Sequence, residues 1–365
     1  MSGRMPRISR TPPSQSRKSH SRSHDLGNFT GHEEESKMKM TKLKAFAAVA
    51  ALTAGAAEAR ELRFTISPPE PSPWGQATKA FAENVAELSG GELTVNVFYA
   101  NQLGSEQQTV RQIARGRLDM GLMSNTATSL LVPEFALLAV PYVFDSLDQA
   151  DCVADQHLLD TYAEPFEAAG VRALEWVEVG HQIVFSKEAV DSIDALDNMK
   201  VRVAPTQTDT IFFEATGANA IPLGVNEVPS SLKTGSVTAA TVPAVYGMAI
   251  GLPEIAPEIT ISNHVHQVGA ILISDRTWET LSDEEKGWVS EASAVFKTLR
   301  QSVRGAESAL VDKAASMEGV TVHRPDLGAW RTLAQENHQR IVDAIGGDAD
   351  TAWEELQAAK KSCAG

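Results

Sequence analysis

The chain has 365 residues, 43% of them hydrophobic, with 32 Lys and Arg against 47 Asp and Glu. Residues 1–59 hold ten of the basic and five of the acidic residues, so the remaining 306 carry 22 against 42, a net charge near −20. That balance argues against nucleic acid or an anionic membrane surface as partners, and it means that an anionic ligand would need a local cation. No run after residue 59 is long and apolar enough to span a bilayer, and 306 residues leave room for two domains or one large one.

Residues 38–59 read as a secretory signal. Lys39, Lys42 and Lys44 form a basic start, Ala45 to Ala57 is a short apolar run, and Ala57-Glu58-Ala59 fits a small-x-small cleavage site. Cleavage after Ala59 would start the mature chain at Arg60 and place it in the periplasm. Residues 1–37 are rich in Arg, Ser and His without apolar periodicity, which is expected of a disordered extension or of a misassigned start ahead of Met38 or Met40. Cys152 and Cys363 are the two cysteines. An exported protein can pair them, and two separate thiols fit equally, because sequence does not supply the distance that a bridge requires. There is no Cys-x-x-Cys or other zinc spacing.

Leu62, Phe64 and Ile66 alternate with polar residues and predict a strand. Ser72-Pro73 predicts a helix start, and Gly90-Gly91 its end. Leu93, Val95 and Val97 predict a second strand, Ser105-x-x-Gln108 a capping box opening a helix to Gly116, and Leu118 to Ser124 a third strand. Two strand pieces are expected around Gly180 within 171–185. A strand over 199–204, a helix over 206–216, a helix capped by Asn226 and ended by Gly235, and a strand over 237–242 follow. The stretch 281–317 is read as strongly helical, and further helices follow around Trp330, Leu333 and Ile341. Alternating strands and helices predict an α/β fold with a largely parallel sheet.

The ordered segments Asn101-Gln102-Leu103-Gly104-Ser105-Glu106, Gly116-Arg117-Leu118-Asp119-Met120, Pro133-Glu134-Phe135 and Pro141-Tyr142 resemble the first lobe of the substrate-binding proteins of TRAP transporters (tripartite ATP-independent periplasmic transporters, the DctP-like family). The resemblance covers Glu61 to about Ala344. It implies a two-lobed periplasmic-binding-protein clamshell with crossing strands and a long helix spanning both lobes. Lobe I would comprise 60–180 plus about 268–305, and lobe II 181–267 plus about 306–365. It further implies a carrier of a small organic acid without cofactor or catalysis, whose partners are the small and large integral membrane subunits of the transporter.

Arg202 is the first candidate for holding that acid. Alternation in Met199-Lys200-Val201-Arg202-Val203 puts it on the strand face opposite Val201 and Val203, near the carboxyl end where open α/β sheets bind ligands. The motif resembles the family's Lys-x-Arg-Val strand, whose arginine pairs with the ligand carboxylate, and a planar guanidinium meets a carboxylate with two hydrogen bonds as Lys does not. Two positions depart from the family. Gly180-His181-Gln182 stands where many members carry Gly-x-Arg, so Gln182 is expected to line the cleft in place of a second arginine. Val242 replaces an Asn that commonly contacts the ligand, adding apolar wall. One carboxylate anchor therefore remains, and a monocarboxylate with an apolar or neutral body fits at least as well as a dicarboxylate or sugar acid.

Ser67 and Glu70 follow the first strand, and Ser124 and Asn125 follow the third; each pair either faces the cleft or caps the next helix. Trp74, Phe185 and Tyr246 are candidates for apolar wall, Trp74 also for core. His264 and His266 share a strand face, but no third metal ligand is evident. Glu70 and Asp119 would be the carboxylates of a rival reading as a periplasmic hydrolase or isomerase, although Asp119 suits a turn better. No Gly-x-Ser-x-Gly, Walker loop, Gly-x-Gly-x-x-Gly opening a helix or His-Glu-x-x-His occurs. A ligand sensor of the same fold is the other alternative.

Overall fold

A computed structural model of the chain describes residues 59–363, so the signal and the segment before it lie outside the described residues. β1 (Arg60–Ile66), β2 (Leu93–Phe98) and β3 (Met120–Ser124) form where alternation predicts them. β1 lies between the other two, parallel to both. The intervening helices start on the expected caps. The Ser72 side chain accepts the Gly75 N–H ahead of the helix Pro73–Leu88, and Ser105 with Gln108 closes a reciprocal capping box on the helix Glu106–Ala114.

The two strand pieces expected around Gly180 are one strand, β4 (Val171–Ser186). β5 (Lys200–Val203), β6 (Asn219–Pro222), β7 (Ala239–Pro243), β8 (Glu258–Ser274) and β9 (Thr321–His323) complete one sheet, in which β2, β1, β3, β8, β4, β7, β5 and β6 lie side by side. β5 is parallel to β6 and β7, as β1 is to β2 and β3. β4 and β8 run antiparallel along most of their length, β8 joining the first parallel set through β3 and β4 joining the second through β7. These are the crossing strands of a two-lobed clamshell. β4 stays continuous through a register shift at Glu178/Gly180, where Gly180 takes φ +98°. A side chain there would be strained and would collide with Glu307 and Val303 of the helix Leu299–Ala315.

Each lobe buries both faces of its sheet. Along β8, Val268, Ala270 and Leu272 enter one core, and Ile271 and Ile273 enter the other with Phe64 and Phe81. In the second lobe Val201, Val203 and Phe212 pack with Trp330 on one face. Ile183, Phe185 and Val242 pack with Leu232 on the other. This corrects the expectation for two residues. Phe185 and Val242 point into the second lobe's core, where a Cβ at Gly247 would strike both, so neither is cleft wall. The helical stretch expected over 281–317 is also divided. A 3-10 turn, Ala294–Thr298, interrupts it and sets the Phe296 ring against Phe64 and Phe81. Asn226 lies inside a second 3-10 turn, Val225–Glu227, and Glu227 reaches back to the Gly224 N–H at 2.9 Å.

The C-terminal segment does not stay with the second lobe. The helix Gly328–Ile345 packs on the helix Gln207–Ala215, but the helix Ala349–Ser362 packs on Leu147–Val153 and the turn Pro133–Ala139 of the first. A disulfide between Cys152 and Cys363 fastens it there across 211 residues of chain. Closing so long a loop restricts the unfolded chain strongly, and losing a native bridge costs about 2–5 kcal/mol. The double variant Cys152→Ser, Cys363→Ser should melt several degrees lower than the parent, read by calorimetry; an unchanged midpoint would mean that the bridge adds nothing to stability. Phe185→Ala should destabilise by about 3–5 kcal/mol in denaturant titration, as a core residue does, whereas a cleft-wall residue would lose ligand affinity at nearly unchanged stability.

Candidate functional site

The carboxyl ends of β5, β6 and β7 converge on one side chain. Val201 and Val203 are held in the core, so the residue between them must project from the opposite face, and it carries Arg202 into the gap between the lobes. Arg202 is 3% exposed. Nε and Nη2 donate to the Leu223 carbonyl at 2.9 and 2.6 Å, and Nη1 donates to the Thr241 carbonyl at 2.6 Å. These backbone bonds lock the fork in place. An arginine has five N–H donors; three are engaged, and one remains on each Nη.

Arg202 lines a cavity of about 60 Å³ whose wall is mostly apolar. The first lobe contributes Ser67, Trp74, Leu122 and Ser124, the crossing strands Val179, Gln182 and Gln267, and the second lobe Val225, Pro243 and Tyr246. Trp74 is anchored by its indole N–H, which donates to the Glu178 carbonyl at 2.9 Å. Gln267 donates to Asn125 Oδ1 at 2.6 Å and to Thr126 Oγ1 at 3.2 Å.

Two acids lie close to Arg202. Glu106 lines the cavity, accepting the Ser124 N–H at 2.6 Å and the Ser124 hydroxyl at 2.8 Å. Burial raises its pKa, while the Ser124 bonds and the Arg202 charge oppose the rise. Asp209, in the first turn of the helix Gln207–Ala215, accepts the Ala204 N–H at 3.2 Å. Burial pushes its pKa up to about 6 against the opposing pull of Arg202. Burial likewise pulls Arg202 down to about 10, and Asp209 is the strongest of the charges holding it up. Arg202 is therefore a cation at neutral pH.

Of the residues singled out from sequence, Arg202, Gln182, Ser67, Ser124, Trp74 and Tyr246 come together around this cavity. Glu70 does not. It is exposed in the loop after β1, 3.5 Å from Lys79. Asn125 stands behind the wall, holding Gln267. Asp119 accepts the Arg63 N–H and the Thr277 hydroxyl, so it ties β1 to the helix Asp275–Thr280 rather than ordering a local turn, and it forms no pair with Glu70. His264 and His266 part company. His264 is buried against Phe212 and Phe213 and bonded to Ser262, while His266 faces His181 and Glu178. No group of three metal-ligating side chains occurs among the described residues. Glu106, Asp209 and Gln267 are the site residues that sequence reasoning missed. Glu106 directly follows a helix cap, where an acid is ordinary, and only its approach to Ser124 marks it as buried.

Comparison with known proteins agrees with this architecture. Residues 64–344 match the family described as bacterial extracellular solute-binding protein, family 7. A solute-binding protein of Roseobacter denitrificans is 28% identical over 305 residues, covering 81% of this chain and 93% of its own. The sialic acid-binding periplasmic protein SiaP of Vibrio cholerae is 25% identical over 275 residues, 74% of this chain and 84% of its own. Among solved structures, the sugar acid binding protein DctPAm of Advenella mimigardefordensis, in complex with galactonate, is similar with a TM-score of 0.78 at 26% identity, covering 84% of this chain and 99% of that one. The chain belongs to the DctP family, bacterial extracellular solute-binding proteins of family 7.

Proposed function

We propose that this protein, exported and cleaved after Ala59, captures a small organic acid through an ion pair with Arg202 and delivers it to the membrane subunits of a TRAP-type transporter. The observation that carries the reading is the buried guanidinium of Arg202, fixed by two backbone carbonyls with one N–H on each Nη left for a carboxylate. The relatives named above for sialic acid and galactonate bind carboxylates, which supports the class of ligand. In this scheme the open cleft exposes Arg202, a carboxylate docks, and the lobes close along β4 and β8. Closure removes water and strengthens the pair. It also changes the outer surface, so that a membrane partner distinguishes the loaded from the empty form. Glu106 is held by Ser124 and Asp209 by the Ala204 N–H, which supports a binding rather than a catalytic role for the cleft.

Truncating one partner of a buried ion pair costs about 2–5 kcal/mol, or roughly thirtyfold and more in affinity. Arg202→Ala should therefore weaken acid binding at least to that extent in calorimetry, with its melting midpoint measured alongside to confirm folding. Arg202→Lys should recover little, because an ammonium cannot reproduce the fork. Binding unchanged in a folded Arg202→Ala protein would remove the anchor. Asp209 makes a separate prediction. Its folded pKa of about 6 exceeds the ordinary 3.8, so between these values the folded state holds more protons than the unfolded one, and stability falls as pH rises from about 4 to 6. Asp209→Asn should flatten that part of the stability profile; an unaltered slope would place the titration elsewhere.

A further inference from the structure

The cavity wall carries one acidic and one cationic side chain, so it has no net positive charge before any acid enters. Arg202 is the one cationic side chain in the wall, and Glu106 shares that wall. Asp209, 2% exposed, acts on Arg202 from behind, and Glu227 adds a weaker pull. A bare monocarboxylate would bring a further anion into a mostly apolar enclosure, and a dicarboxylate two, with no second cation to meet them. A buried charge is tolerated only when paired. A ligand that carries its own positive charge resolves this.

A second observation points the same way. Gln182 is 3% exposed and lines the cavity, yet its side-chain oxygen has no hydrogen-bond partner among the described residues. An unmatched buried acceptor costs about 1–3 kcal/mol, and amide orientation adapts to whatever group arrives. Glu106 accepts one hydrogen bond on each oxygen from Ser124, and a carboxylate has lone pairs for more. The cavity thus offers a carboxylate and an amide oxygen on the walls around Arg202. A hydroxyl carries one proton to donate, so it meets one of them. An ammonium carries three and can meet both.

We infer that the ligand is a compact amino-bearing monocarboxylate, its carboxylate on the two remaining N–H groups of Arg202 and its ammonium toward Glu106 and Gln182. This rests on the acid-binding reading above and narrows it. Glu106 then becomes a specificity residue: it selects the amino acid over the hydroxy acid or the unsubstituted acid of the same carbon skeleton.

The test is calorimetric titration of the protein from Arg60 onward, refolded to free it of copurified ligand, with α-, β- and γ-amino acids of three to five carbons and with the hydroxy and unsubstituted acids of the same skeletons. Parent protein, Glu106→Gln and Arg202→Ala are compared. Glu106→Gln keeps the shape, and Ser124 can donate its N–H to the amide oxygen while its hydroxyl turns to accept from the amide nitrogen. The parent should prefer an amino compound over its hydroxy counterpart by tenfold or more. Glu106→Gln should lose at least tenfold for the amino compound and so lose or reverse the preference for it over the hydroxy or plain acid. Equal or weaker binding of the amino series in the parent, or an unchanged preference in a Glu106→Gln variant that melts like the parent, would overturn the inference. The acid-binding reading fails on a different arm, a folded Arg202→Ala protein that binds these acids undiminished.

Discussion

A guanidinium held in a nearly dry cleft is the constraint around which this molecule is arranged. Desolvating a charge is costly, and the structure offsets that cost with fixed dipoles and neighbouring acids rather than with water. The Leu223 carbonyl just past β6 and the Thr241 carbonyl within β7 receive three of the guanidinium's bonds, and the charge of Asp209 helps to hold it. Those partners come from one lobe. The other lobe and the crossing strands supply Trp74, Gln182, Gln267 and Glu106, so the charge is enclosed only when two separately built halves meet. A clamshell is the simplest architecture in which one half can present such a cation and the other can cover it.

The crossing strands make that meeting reproducible. β4 is tied to the helix Leu299–Ala315 by part-buried polar contacts as well as by the apolar packing of Val177 with Leu299 and Val303. Glu178 is bound by Arg304 at 2.7 Å, and Arg304 also reaches Asp151. Three residues on, the His181 N–H donates to Glu307 at 2.6 Å. Multiple charge-assisted bonds of this kind are stronger than neutral ones and specific in direction. They bracket Gly180, whose left-handed φ and missing side chain let the strand pass close beneath the helix. Gln182 lies only two residues beyond, so the segment that joins the lobes also carries a wall residue of the cleft.

Much of this was legible from sequence where one residue's neighbours dictate its direction. Arg202 could be oriented because Val201 and Val203 must be buried, and Trp74 could be placed because Ser72-Pro73 starts its helix. Phe185 and Val242 were misread for the converse reason. They alternate with Val184 and Thr241, and both faces of that sheet are buried, so alternation did not say which face meets the cleft. Gln182 of β4 and Pro243 at the end of β7, paired in register, are the residues that do. Glu106 and Asp209 occupy first-turn positions where an exposed acid is commonplace, and their burial depends on contacts 18 residues away and five residues back. The Cys152–Cys363 bridge and the return of the last helix to the first lobe depend on distances that no local pattern encodes.

The most direct test of the central claim is a crystal structure of the protein with its bound acid. The account predicts a carboxylate with one oxygen on each Nη of Arg202, the bonds to Leu223 and Thr241 retained and both lobes touching the ligand. A ligand seated elsewhere, or one whose carboxylate is held by other groups while Arg202 keeps only its backbone partners, would contradict it.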